Sequence, residues 1–283
     1  MKVLRAVLLS CGVPLVVAAC GKDEPSGPQG QPGEGIQELN YSNNSGYVVF
    51  HVGTPAIEGP DLVIEEVTSP QHHVESPSGS WEVPFRVINM GSAVPAGSSA
   101  VAAYLSPDPT YSADDRFLAE APVGTIASGA YQSGVITVAM PGGYSVGRYL
   151  YVLLLADFGD AVAELNEAAN TSSFSVYVGT PSGGLADLVV EGMSLPTQHN
   201  LLPGESSNIQ FRIHNMGQSP SAASKAKIYL SRDKSISTDD LELAEVDVSP
   251  LGPGAFRNYD QRFTVPSGYA NGYYYIIVEA NSR

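Results

Sequence analysis

Two acidic loops are the segments of this chain best equipped for chemistry. Asp108, Asp114 and Asp115 lie in Asp-Pro-Thr-Tyr-Ser-Ala-Asp-Asp, and Asp233, Asp239 and Asp240 recur in Asp-Lys-Ser-Ile-Ser-Thr-Asp-Asp at the same spacing. Several carboxylates gathered in a flexible loop suit a hard cation such as calcium. Short Asp side chains also close turns by accepting hydrogen bonds from their own backbone. The spacing departs from the EF-hand pattern, so turn closure is the expectation and calcium stays a candidate ligand. Asp157, Asp160, Glu164 and Glu167 invite the same two readings. The five histidines, His51, His72, His73, His199 and His214, lack the regular short spacing of a zinc site. His72 and His73 are adjacent and would face opposite sides of a strand, so no metal site is expected from them. No nucleophile elbow or Gly-rich phosphate loop occurs, and the chain reads as a non-enzyme.

The elements that must hold these loops come from an internal repeat. Asp61-Leu62-Val63 returns as Asp187-Leu188-Val189, 126 positions on, and Phe85 to Gly91 returns at the same offset as Phe211 to Gly217. Tyr104-Leu105-Ser106 and Asp114-Asp115 return one position earlier, as Tyr229-Leu230-Ser231 and Asp239-Asp240. Within each copy, Val83, Phe85 and Val87 (or Ile209, Phe211 and Ile213) alternate with other residues, the period of a half-buried strand. Asn-Met-Gly then reads as a tight turn, since Asn and Gly tolerate positive φ. Tyr149 to Leu155 and Tyr273 to Val278 are apolar on both faces, as central strands are. No window sustains helical spacing. Short strands punctuated by Gly and Pro, in copies of about 125 residues, predict an all-β protein of two tandem sandwiches.

These motifs, in this order, resemble the CARDB family, the cell-adhesion-related domain found in bacteria. The resemblance rests on Asp-Leu-Val at the start, Asn-Met-Gly, Tyr-Leu-Ser-x-Asp, a late Gly-x-Tyr strand, and Asp157 to Asn170 before a closing strand at Phe174 to Val178. It covers most of residues 55–283 and implies an immunoglobulin-like fold with a binding, adhesion or spacer role. The second copy departs from the pattern, because its acidic turn and last strand are missing. Residues 38–54 supply a counterpart: Glu38 and Tyr47 to Thr54 align with Glu164 and Ser173 to Thr180, again 126 apart. Three explanations compete. A longer array was trimmed, the segment adds to an edge of the first domain, or it completes the second domain of a neighbouring molecule. Donation of this kind would give head-to-tail self-association. Folding back within one molecule reads as harder, since only about eight residues join this strand to the first domain.

The front of the chain has the layout of an export signal: Lys2 and Arg5, an apolar run from Ala6 to Ala19, then Cys20. Val17-Ala18-Ala19-Cys20 resembles the lipobox of bacterial lipoproteins, which implies cleavage before Cys20 and lipidation of its sulfur. Cys11 and Cys20 are the only cysteines, so no disulfide framework is available. Residues 20–37 are rich in Gly, Pro and Gln and read as a tether. The net charge of −15, from 29 acidic and 14 basic residues, argues against nucleic acid as a partner.

The domains expected are a signal over 1–19, a tether over 20–37, a spare closing strand over 38–53, a first sandwich over 54–179 and a second, lacking its last strand, over 180–283. The function expected is non-catalytic adhesion or binding by an exported lipoprotein. It would be anchored through Cys20 at the outer membrane or cell surface, with an unidentified protein or glycan as ligand and no cofactor beyond the calcium candidate. The alternatives are a subunit assembling by donor-strand exchange through residues 46–52, and a spacer in an envelope complex. Among aromatics, Tyr144 and Tyr269 sit at matching turns and are candidate partner contacts, as is Trp81, whose repeat position holds Ser207.

Overall fold

The structure is a computed structural model that describes residues 36–55, 58–196 and 199–281. The signal, Cys20 and most of the tether lie outside these residues. Apart from one 3₁₀ turn, Glu167–Ala169, every element among the described residues is a strand, so the protein is all-β as expected.

The first domain pairs two sheets. Strands β2 (Leu62–Glu65), β4 (Ser80–Asn89) and β7 (Tyr131–Ala139) form one, in the order β2-β4-β7. The other contains β3 (His73–Val74), β5 (Ser99–Ser106), β6 (Arg116–Val123), β8 (Arg148–Ala156) and β9 (Thr171–Val178), in the order β3-β9-β8-β5-β6. Alternation drives the pairing: Val83, Phe85 and Val87 of β4 and Leu150, Val152 and Leu154 of β8 meet in one core. Trp81, 5% exposed, fills that core rather than facing a partner.

The second domain repeats the plan with one substitution. Its three-stranded sheet is β10 (Leu188–Ser194), β12 (Ser206–Asn215) and β15 (Phe256–Thr264). Its five-stranded sheet holds β11 (Asn200–Leu201), β13 (Ser224–Ser231), β14 (Leu241–Val248) and β16 (Gly272–Ala280). The fifth member is β1 (Ser45–Val52), giving the order β11-β1-β16-β13-β14. The N-terminal strand therefore occupies the place that β9 holds in the first domain. It runs antiparallel to β16 from Ser45 opposite Glu279 to Val52 opposite Gly272, and parallel to β11.

This corrects the explanation that the segment adds to an edge of the first domain, and the expectation that folding back within one molecule is harder. The strand is not an edge of the first domain but a member of the second domain's five-stranded sheet, where it fills the place of a closing strand within the same chain. The short connection, which had argued against folding back, is the same hop the chain makes later. Gly53-Thr-Pro leads from the closing strand of domain 2 to the first strand of domain 1, and Gly179-Thr-Pro leads from the closing strand of domain 1 to the first strand of domain 2. Both glycines adopt the left-handed conformation, at φ 88° and 86°. The two domains lie side by side in this exchange, so each hop is short.

The Asn-Met-Gly repeat also has a different cause from the one expected. Gly91 and Gly217 do not take positive φ; a Cβ on them would sit 2.1 Å from the Gly59 carbonyl oxygen and 2.3 Å from that of Leu185. Backbone approach, not turn geometry, excludes a side chain there. Asn89, fully buried, accepts from the Asp61 and Gly91 N–H groups and donates to the Val94 and Ile126 carbonyls. Asn215 makes the matching four bonds with Asp187, Gly217, Ser219 and Leu251. One amide thus satisfies four backbone groups that would otherwise be buried unpaired.

Candidate functional site

Charged side chains inside apolar strands mark the candidate site, which lies where the two domains meet. Glu65 ends β2 and stands opposite Arg86 of β4; Glu191 of β10 stands opposite Arg212 of β12, 126 positions on. Each glutamate then reaches across to a histidine from the other domain. Glu65, 2% exposed, accepts from Arg86 Nη2 at 2.7 Å, from His199 and from the Leu195 N–H. Glu191, 5% exposed, lies 3.5 Å from His72 Nε2, 3.3 Å from His214 Nδ1 and 3.6 Å from Arg212 Nη1. Arg86 and Arg212 also make cation–π contacts with Tyr131 and Phe256, at 4.9 and 4.0 Å.

Burial on its own would raise the pKa of both glutamates. The adjoining charges and hydrogen bonds, His199 and Arg86 for one and His214, His72 and Arg212 for the other, instead hold both low and ionised. Burial pushes His72 down to about 4, so it is neutral at pH 7. The two clusters differ in completeness. Glu65 has partners on both oxygens, whereas Glu191 Oε2 and both ring nitrogens of His72 complete no hydrogen bond of ordinary geometry.

Around these clusters the interface is apolar. Tyr47 and Val49 of β1 turn away from the domain 2 core and pack with Val63, Ile88 and Met90 of domain 1 and with Tyr275 and Ile277 of β16. Val48, Phe50 and Val52 point the other way, into domain 2. β1 is thus buried on both faces. Tyr273 Oη donates to Asp61 at 2.8 Å and Tyr149 Oη donates to Asp187 at 2.6 Å, each tyrosine reaching the opposite domain. Backbone bonds cross as well, from Glu66 N to the Met193 carbonyl and from Gly192 N to the Val67 carbonyl, both at 3.0 Å.

Two further shifted acids, Glu38 and Glu164, serve the backbone. Glu164 accepts from the Leu62 N–H at 2.6 Å, and Glu38, its repeat counterpart, accepts from the Leu188 N–H at 2.8 Å. Burial raises each to about 8; it raises Asp61 and Asp187 to about 6. An acid whose folded pKa lies above its unfolded value binds more protons when folded, so stability falls as pH rises through that window. Stability is expected to peak near pH 5 and to decline towards pH 8. Buried Glu38 contributes a loss of about 2–3 kcal/mol, after allowing for partial solvent access. Below the peak, Glu65 and Glu191 reverse the sign, because their lowered pKa values lose stability on protonation. Thermal melts across this range check both limbs, and Glu38→Gln should flatten the alkaline one.

The acidic loops bind themselves. Asp108 accepts from Thr110 N at 2.9 Å, Asp115 from Ser112 N at 2.7 Å and Asp114 from Ser112 Oγ at 2.8 Å. Asp233, Asp240 and Asp239 repeat these bonds with Ser235 N, Ser237 N and Ser237 Oγ. Tyr144 and Tyr269 are half-buried against the cores of their own domains. Sequence reasoning had passed over Glu65, Glu191 and His214 as site residues. The available signal was a Glu that closes an apolar run in each copy, Leu62 to Ile64 and Leu188 to Val190, and an Arg that recurs at the same offset.

Comparison with known proteins follows the fold. The CARDB family model matches residues 59–174 and 185–283. Similar solved structures include the CARDB domain of a Pyrococcus furiosus protein crystallised in complex with di-metal ions. It is 20% identical, covering 44% of this chain and 94% of that one at a TM-score of 0.33. Red sea bream transglutaminase is 11% identical, covering 80% of this chain and 29% of that one at 0.26. The secreted serine protease VesC of Vibrio cholerae is 10% identical, covering 78% and 47% at 0.25. No curated protein matches.

Proposed function

The chain belongs to the CARDB family, and from that footing we propose that it is a lipid-anchored, exported bacterial binding module that does no catalysis. One observation carries the reading. The first described segment, which begins at Ile36, belongs to domain 2, so an anchor at Cys20 would be joined to that domain through residues 21–35. Ile36 is clasped at once: its N–H donates to Asn281 Oδ1 at 2.7 Å and its carbonyl accepts from Asn281 Nδ2 at 2.8 Å. Anchor, tether and interlocked pair thus form one mechanical unit, suited to presenting a ligand-binding face away from a membrane. The strongly shifted carboxylates favour binding over catalysis, since Glu38 and Glu164 spend their hydrogen bonds on the chain's own strands.

Fifteen residues separate Cys20 from Ile36. Extended as polyproline they reach on the order of 45 Å, at about 3.1 Å each. With that reach the module would work at an outer membrane or cell surface on a protein or glycan ligand. The test is Cys20→Ser. Wild-type protein should incorporate labelled palmitate and fractionate with membranes, and the variant should lose both properties. Palmitate retained in the variant would end the anchoring reading. Retrieval of a ligand from envelope extracts on soluble residues 36–283 would separate adhesion from a spacer role.

A further inference from the structure

The incomplete cluster at the domain interface carries an assignment beyond the anchoring reading and independent of it. We propose that His72, Glu191 and His214 bind a divalent transition metal of the zinc class, which clasps domain 1 to domain 2. One nitrogen from each histidine and one carboxylate oxygen lie within 4.8 Å of one another. Around a tetrahedral zinc with bonds of about 2.0–2.1 Å, ligand atoms stand about 3.3–3.5 Å apart. Glu191 Oε2 stands 3.5 Å from His72 Nε2 and Glu191 Oε1 stands 3.3 Å from His214 Nδ1, so each histidine lies at ligand spacing from one of the two oxygens of the same carboxylate.

A second observation points to a ligand. His72 is 7% exposed, yet neither of its nitrogens completes a hydrogen bond; the Ser175 carbonyl lies beside the ring and Glu191 Oε2 stands opposite without a hydrogen bond. A buried neutral imidazole facing a buried unfilled carboxylate oxygen is costly unless a third group bonds both. The rings of His72 and His214 stand 4.6 Å apart at 84° to one another. A cleft of about 400 Å3, lined by His72, His73, His214 and Met216, leads to them from solvent. It supplies an entry path and room for a water as fourth ligand. Imidazole and carboxylate together suit zinc, nickel or copper better than calcium, which seeks oxygen alone.

The partner cluster is an internal control. Around Glu65, Arg86, His199 and the Leu195 N–H occupy both oxygens, and Ile88 stands at the position that holds His214 in the second copy. The repeat therefore offers one site per chain, on one side only.

The test uses the full chain without a polyhistidine tag, after chelator treatment. Titration with Co2+ should give the visible band of a four-coordinate nitrogen–oxygen site, saturating near one equivalent, displaced by Zn2+ and unaffected by excess Ca2+. His72→Ala and His214→Gln should each weaken binding at least about tenfold. Melting curves in chelator confirm that the variants fold, and if His72→Ala does not, His214→Gln gives the same readout. A cobalt band that is absent, or that persists unchanged in the folded variants because the acidic loops or cysteines hold the ion, overturns the assignment.

Discussion

Deletion of residues 36–53 is expected to leave domain 2 unable to fold while domain 1 keeps its own cooperative transition. The segment removes Val48, Phe50 and Val52 from the domain 2 core, where they are 3%, 0% and 0% exposed. Their burial contributes roughly 5–9 kcal/mol at about 1.5–3 kcal/mol each, against a total stability of about 5–15 kcal/mol for an ordinary domain. The loss also strips β16 of the ladder that runs from Ser45 to Val52, leaving backbone donors and acceptors unpaired at an apolar edge. Domain 1 has its own closing strand, β9, and does not depend on the deleted segment for its core. Calorimetry should show the unfolding enthalpy fall to about half, in line with its scaling per folded residue. A synthetic peptide of residues 36–53 should restore part of it. An unchanged enthalpy would mean that β1 is dispensable. The milder Phe50→Ala, which breaks the edge-on contact with Phe263 at 6.1 Å, is expected to cost about 3–5 kcal/mol.

Glu65→Ala is the second large effect expected. Glu65 is the one carboxylate among the described residues that meets Arg86 Nη2, at 2.7 Å, and it also holds His199 and the Leu195 N–H from the other domain. Removing it strands a mostly buried guanidinium, whose side chain is 12% exposed and whose Nη1 retains only the more exposed Glu66 at 3.0 Å. Breaking one partner of such a pair costs about 3–5 kcal/mol, whereas replacing both by apolar residues of similar volume is often neutral. Glu65→Ala should therefore lower the denaturant midpoint well below that of the double variant Glu65→Leu, Arg86→Met. Equal midpoints would show that Arg86 finds water once Glu65 is gone. Because His199 belongs to domain 2, the single variant should also loosen the domain pair. Faster amide exchange at Glu66 and Gly192, whose N–H groups cross the interface, would register that change.

Both effects sit on features that were unevenly visible in the sequence. The 126-residue repeat and the alternation in β4 and β12 announced two sandwiches, because period-two patterning is a local property of a half-buried strand. The likeness of residues 38–54 to the closing segment of domain 1 was equally plain, down to Glu38 standing for Glu164. What that likeness could not specify was the sheet β1 would join. A strand apolar on both faces states that it needs two partners, but it carries no record of which edge is near. The short connection to domain 1 argued against folding back within one molecule, because the side-by-side placement of the domains is set by the whole interface and is not written in the connection.

The candidate site was hidden for a related reason. His72 and His214 are 142 positions apart, and no spacing rule relates residues on different domains. Glu65 and Glu191 read as ordinary strand residues until packing removes them from water, at which point their charges dictate their neighbours. The acidic loops were the opposite case: conspicuous in sequence, yet their bonds are local and their carboxylates turn to their own backbone. The sequence by itself determined that this is a duplicated all-β chain, with its strands and the positions of its Asn-Met-Gly corners. Only the tertiary structure decided that domain 2 is completed by the N-terminal strand and that the domains lock through buried Glu, His and Arg. Hydrophobic alternation is written residue by residue, whereas edge choice and desolvation depend on what else has already packed.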